Sequence, residues 1–349
     1  MEPDPRPLLP GSRTGSRCPA GDEPDANALP AAASALRVRP RDVLVLAALA
    51  FGVHLLLPQV GEIERTVDNL SRTQWELLAP LLGLTALSYP AAAAALLGAS
   101  DRPLGLGWTT AVALASSFTS RLAPSGLGGA GLQVVYLQHA GTARAAAVGQ
   151  VSLNMVAGAV VHVLALLTVS LLVGRASLPG VGLPEHGPVL LGVLAALVVL
   201  GAAVAVLAAR RAPVERQLAR VGTAVARAAR EFLLALRDPR RALLLLGGSA
   251  GVTAAYAAAF AVSLAACSVH LHPAAVAFVF LTGSAVAAAA PTPGGLGALE
   301  AALVAGLSSF SVPVNAAVSG VLLFRAATFW LPILPGFISY RFLRRRHAV

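Results

Sequence analysis

Three charged side chains in this 349-residue chain lie inside apolar surroundings and could do chemistry together. Glu300 is the last carboxylate of the sequence. It lies three residues beyond the run Pro291-Thr292-Pro293-Gly294-Gly295-Leu296-Gly297. Arg325 stands among Leu323, Phe324 and Phe329. Arg121 just precedes Pro124-Ser125-Gly126-Leu127-Gly128-Gly129-Ala130-Gly131. An ionisable group at membrane depth is costly and turns toward a cavity or a partner. Two readings follow for Glu300 and Arg325. They form a structural ion pair, or they bind a charged headgroup, with Arg325 on its phosphate and Glu300 on a cationic part or a coupling proton. In the second, a hydrophilic cavity at the glycine break keeps both charges partly hydrated. Arg121 is either a third such group or a depth anchor near the interface. The glycines expose N–H groups at helix starts, which suits an anion, or allow close packing at hairpin turns. The candidate substrate site is therefore Arg121, Gly128, Gly129, Pro291, Pro293, Gly294, Gly295, Gly297, Glu300 and Arg325.

Other chemistry finds little support. Gly126-Leu127-Gly128-Gly129-Ala130-Gly131 matches G-x-G-x-x-G in form, but a dinucleotide site needs a preceding strand and an acid roughly 20 residues on. No Asp or Glu occurs between Asp101 and Glu185. His54 and His162 lie within apolar spans and read as hydrogen-bonded packing residues. His270 and His272 have no Cys, Asp or Glu nearby to complete a metal set. Cys18 and Cys267 stand far apart in unlike contexts, so no disulfide framework follows. No nucleophile–base constellation is visible. The expectation is a chain that is not an enzyme and takes no metal or cofactor.

The elements that must position these residues are membrane helices. Hydrophobic residues make up 56% of the chain and charged ones 12%, about half the charge of a typical soluble domain at ~25%. The formal net charge is +10, and every basic residue other than histidine is arginine. The arginines cluster beside apolar runs, which implies membrane topology and anionic lipid rather than nucleic acid. The Ala/Arg richness points to a GC-rich bacterial genome. Residues 1–40 are Pro/Gly-rich and predict a disordered cytoplasmic tail; residues 346–349 form a short C-terminal tail. Spans are expected at 43–58, 75–97, 145–173, 188–208, 242–267 and 314–338. Pro80 and Pro90 are expected to kink the second, and Trp75 suits its interface. Segments 108–122 and 273–290 each run into a Pro/Gly break followed by a shorter apolar piece. Residues 209–241 carry apolar positions at helical spacing between many arginines, which predicts an amphipathic helix in the cytoplasmic headgroup layer or a solvated linker helix.

Arginine clusters fix the N-terminus, residues 209–241 and the C-terminus on the cytoplasmic side. Counting spans then makes 108–144 begin and end inside, and 273–313 begin and end outside. Irregular backbone at membrane depth is tolerated only where protein buries it or water fills a cavity. The expected fold is an all-α polytopic membrane protein with about six full spans plus two re-entrant Pro/Gly-broken helical hairpins. Leu122-Ala123-Pro124-Ser125 parallels Ala290-Pro291-Thr292, and Gly128-Gly129-Ala130-Gly131 parallels Gly294-Gly295-Leu296-Gly297. With the long following spans running in opposite directions, the pattern is that of an inverted repeat, an architecture of transporters with central sites.

The run from Pro291 to Glu300, then Val312-Pro313, Leu323-Phe324-Arg325, Phe329-Trp330-Leu331-Pro332 and Pro335-Gly336, resembles the flippase-like transmembrane region of lysylphosphatidylglycerol synthases and their stand-alone bacterial relatives. The resemblance implies a flippase-like transmembrane domain over 41–345 in a multi-pass cell-membrane protein. It implies translocation of a phospholipid or polyprenyl-linked lipid, with anionic lipid headgroups as partners. The chain stops just after its last span, so the family's aminoacyl-transferase domain, and synthesis with it, is not expected. Asn154-Met155 stands where relatives often carry a Glu-Arg pair, so one charged half-site is expected to be lost. The alternatives are a scaffold for a separate membrane synthase and a membrane enzyme acting on lipid.

Overall fold

Small residues decide which helices lie side by side. In the computed structural model, which describes residues 74–122, 127–175, 230, 232–290, 295–346 and 348–349, two long helices pack along their whole length. They are α1 (Leu78–Ala99), entered through a 3-10 turn at Trp75–Leu77, and α5 (Pro239–Ala266). A Cβ on Gly98 would strike the backbone nitrogen of Leu245, and one on Gly248 would strike that of Ala95. The two glycines thus perform the same service for opposite partners, and no larger residue fits either place. At the far end the Gln74 N–H donates to the Ala266 carbonyl at 3.1 Å. The pair is antiparallel, as the span count requires.

The remaining elements are α2 (Leu106–Leu122), α3 (Leu127–His139), α4 (Arg144–Arg175), α6 (Pro273–Ala289), α7 (Ala298–Ser309) and α8 (Val314–Arg325). A π turn (Ala326–Trp330) then leads to α9 (Ile333–Arg345). Regular structure among the described residues is helical throughout. Among the described residues, four helices are long and apolar enough to cross a bilayer: Trp75–Ala99, Arg144–Val173, Pro239–Ala266 and Val314–Arg345. Large apolar side chains such as Leu87, Leu164, Leu172, Leu243, Leu334 and Ile338 stay exposed on their flanks. Water would penalise that surface and lipid does not. This is a multi-pass membrane protein.

Two short helix pairs form antiparallel hairpins. In α2–α3, Gly129 sits against Ser116 and Ser120 near the tip, while Thr109 and Tyr136 hydrogen-bond at 3.1 Å near the base. In α6–α7, Gly283 packs on Leu303 and Gly306 on Val279. Each hairpin then packs against the long helix of the other half. On α9, Ser339 Oγ donates to the Ala111 carbonyl at 2.9 Å, and Gly336 lies against Leu114 and Phe118 of α2. On α4, the His162 ring bonds the Leu281 carbonyl of α6 at 3.1 Å, the packing role expected of it. Phe260, Phe280 and Phe324 from α5, α6 and α8 meet edge to face in the main core.

Boundaries differ from the sequence reading at two points. The fifth helix begins at Pro239 rather than 242, because the Asp238 carboxylate caps it by accepting from the Arg240 and Arg241 N–H groups. The last helix continues to Arg345 rather than stopping near 338, since arginine is a good helix former and its charge lowers hydropathy without ending the helix. Helix α1 runs unbroken past Pro90. The expected tail, the spans at 43–58 and 188–208, and nearly all of the arginine-rich segment before residue 230 lie outside the described residues.

Candidate functional site

The tips of the two hairpins meet at the π turn of the last span. Val314–Arg345 is 32 residues long, and Phe329 stands at its midpoint. A proline makes the turn. Pro332 has no N–H, so the carbonyl of Thr328 loses its usual i+4 donor. The Leu331 N–H reaches back five residues to the Ala326 carbonyl at 2.9 Å, which opens the π turn. Such turns recur at functional sites. The orphaned Thr328 carbonyl is taken by Arg121, whose Nη2 donates to it at 2.9 Å from the tip of the first hairpin. Arg121 Nη1 donates to Ser117 at 2.6 Å.

Phe329 gathers both arginines. The guanidinium carbon of Arg121 lies 4.9 Å from its ring centroid and that of Arg325 4.3 Å, within cation–π range. Arg325 Nε donates to Glu300 Oε1 at 2.6 Å, and both side chains are about nine-tenths buried. That burial differs from the partly hydrated pair expected on the functional reading. Glu300 has a second task. Its Oε2 accepts the Gly297 N–H at 2.9 Å, closing the first turn of α7 on itself. Gly297, with φ +81°, and Gly295, with φ +67°, occupy left-handed conformations that glycine tolerates best. Gly297 was expected to offer its N–H to an anion, but that group is already used inside the turn.

Arg121 therefore stands in the same cluster as Arg325. Gly129 is a packing residue under Ser116 and Ser120, and Gly128 lies in the first turn of the same helix. Pro291, Pro293 and Gly294 lie outside the described residues. Two groups escaped the sequence reading. Tyr89, next to Pro90, places a buried hydroxyl beside Ser117 and Arg121, and Arg121 Nε is buried without an acceptor among the described residues. Tyr256 of α5 lies near both Tyr89 and Arg325. In the first half, Met155, at the place matching Arg325, is half exposed. The charged site is thus one-sided: two guanidinium groups and one carboxylate.

Residues 42–336 match the family model of the lysylphosphatidylglycerol synthase TM region. The chain belongs to that family. Comparison with curated proteins yields no significant match. The match to the lysylphosphatidylglycerol synthase TM region spans both hairpins, the π turn and all three charged residues of the cluster. It makes this an integral membrane protein related to lipid metabolism.

Proposed function

We propose that this chain translocates a phospholipid or polyprenyl-linked lipid across the bacterial cell membrane, with both termini cytoplasmic. One observation carries the reading. Arg121 from one hairpin tip and Arg325 beside the other converge on Phe329 at the middle of a full span, against a single carboxylate. A surplus cation at that depth calls for an anion, and a lipid phosphate in transit supplies one. The hairpins support it by length. Limbs of 17 and 13 or 12 residues reach about 25 Å and 18–20 Å at 1.5 Å per residue, short of a hydrocarbon core of roughly 30 Å. They enter and return, and from opposite sides on the span count. The exchanged packing of α2 on α9 and α6 on α4, about the antiparallel α1–α5 pair, suits an inverted repeat built for alternating access.

The protein acts as a carrier and not as an enzyme. The test is a liposome assay with a dye-labelled phospholipid and a membrane-impermeant quencher. Purified protein should expose inner-leaflet label that empty liposomes protect. Inactivity across phospholipids and polyprenyl phosphates, with folded protein, overturns the proposal. A changed lipid composition after incubation would favour a membrane enzyme instead.

A further inference from the structure

The C-terminal half of α9 repeats one arrangement three times. Phe337, Tyr340 and Phe342 are each followed four residues later by an arginine. The guanidinium carbons of Arg341, Arg344 and Arg346 lie 5.7, 5.9 and 5.7 Å from those ring centroids. Helical side chains lean back over the preceding turn, so a spacing of four lays each guanidinium across its ring. The rings in turn rest on α2. Phe118 meets Phe337 edge to face at 5.5 Å and Tyr340 at 6.2 Å, and Trp108 stacks on Phe342 at 5.6 Å with 17° between the planes. Leu343, wholly buried against Val112, Ala115 and Tyr136, ties the same helix end down. Three guanidinium groups are thus held along the seam between α2 and α9, and all three remain exposed. No acid answers them. Among the described residues none of the three makes an ion pair, and the described acids at this end are already engaged: Asp101 holds Arg241 and Asp238 caps α5. No Asp or Glu follows Glu300. The far end of α4, the counterpart in the other half, lacks the array, since residues 161–175 contain one arginine and no Phe, Tyr or Trp.

We infer that the α2–α9 seam is a binding site for a resident anionic phospholipid, in the leaflet that the C-terminal end of α9 faces. Arg341, Arg344 and Arg346 take its phosphate oxygens, and the Trp108–Phe342 stack flanks the tops of its acyl chains. A guanidinium lying on a ring keeps its N–H edge free for two-point contact with phosphate, a geometry that an ammonium cannot copy. The surroundings favour a lipid over a soluble anion. Trp108 and Phe342 are nearly half exposed, and Leu334 and Ile338, one to two turns earlier on α9, are exposed still further. A ligand here meets apolar surface on one side and bare cations on the other, as a phospholipid at headgroup depth does. The bound lipid is not cargo. Arg341 stands twelve residues beyond Phe329, roughly 18 Å along the helix at 1.5 Å per residue, so the seam is separate from the cluster assigned to transport. A lipid seated there pins α9 against α2, the helix that carries Arg121.

Trp108 reports on the seam directly. Full-length protein carrying Trp75→Phe and Trp330→Phe, which leave Trp108 as the single tryptophan, is reconstituted in dioleoyl phosphatidylcholine bilayers. Brominated phosphatidylglycerol or brominated phosphatidylcholine replaces the host lipid in steps while Trp108 fluorescence is followed. The phosphatidylglycerol should occupy the seam at least about 5-fold more readily, the effect of one arginine near an anionic headgroup. Arg341→Gln, Arg344→Gln and Arg346→Gln together should abolish the preference with helicity unchanged. The three Arg→Lys changes together keep the charge but lose the planar stack, and should reduce the preference at least about 2-fold. Equal quenching by the two lipids overturns the inference, as does a preference that survives the three glutamines. An undiminished preference with the three lysines assigns it to surface charge alone and overturns the site. The readout is binding at the seam, so it stands or falls independently of any flipping in the liposome assay.

Discussion

Glu300→Gln changes charge at the centre of the site and leaves volume almost alone. The carboxylate serves Arg325 at 2.6 Å and the Gly297 N–H at 2.9 Å. A glutamine amide has one oxygen, so its NH2 must face one of those donors. Removing one member of a buried ion pair typically costs ~3–5 kcal/mol. Arg325 keeps the Phe329 ring at 4.3 Å, a contact worth about 1–2 kcal/mol when desolvated, so a loss near ~3 kcal/mol is expected. Arg325→Gln strands the carboxylate and should cost about as much. The double variant leaves no orphan charge and should recover roughly 2 kcal/mol relative to the sum of the singles. The assay is SDS-driven unfolding in mixed micelles, with helicity as the readout. A Glu300→Gln loss under about 1 kcal/mol, with no coupling in the cycle, would mean that water reaches the pair and that burial has been misjudged.

Pro332→Ala supplies an N–H that competes with Arg121 for the Thr328 carbonyl; translocation should fall several-fold while helicity is kept, and unchanged transport would show the π turn to be incidental. Gly98→Leu or Gly248→Leu forces α1 and α5 apart and should destabilise by roughly 3 kcal/mol or more in the same micelle assay. Asp101→Asn removes the Arg241 pair at 2.8 Å, but Asp101 is two-thirds exposed, so a loss of only ~0–1 kcal/mol is expected. In a cysteine-free background, His270→Cys should label from outside the cell and Arg345→Cys only from inside; the reverse would refute the span count.

The parts of the fold written in local chemistry were legible in the sequence. Paired proline–glycine breaks announce themselves, and Glu300 and Arg325 stand out because almost nothing charged surrounds them. Their partnership could be posed from residue type, but its burial could not. The close approach of Gly98 and Gly248 depends on which helix lies opposite, which no single segment specifies. For Arg121 the sequence leaves a site residue and a depth anchor both open, because its acceptor exists only once Pro332 has freed a carbonyl 207 residues away. Tyr89 hid in an alanine-rich span, where a lone hydroxyl gives no periodic signal. The start of α5 is obscured because arginine lowers hydropathy without ending a helix, although Asp238-Pro239 is itself a readable start signal.

The glycine-mediated pairing of α1 with α5 also bears on how the protein is made. The contacting residues Gly98 and Arg241 are 143 positions apart, so at roughly 5–20 residues per second α1 waits some 7–30 s in the bilayer before its neighbour is synthesised. It is equipped for that interval. Thr85 donates its hydroxyl to the Leu81 carbonyl at 3.0 Å and Ser88 to that of Thr85 at 2.7 Å, so these polar groups need no second helix. On α5, Ser249 and Thr253 satisfy themselves in the same way. These serine and threonine hydroxyls are thereby kept from capturing a wrong neighbour during synthesis, which leaves Tyr89 as the hydroxyl of α1 that does not bond its own helix. The match between them is decided by shape, and a nascent chain can find it late.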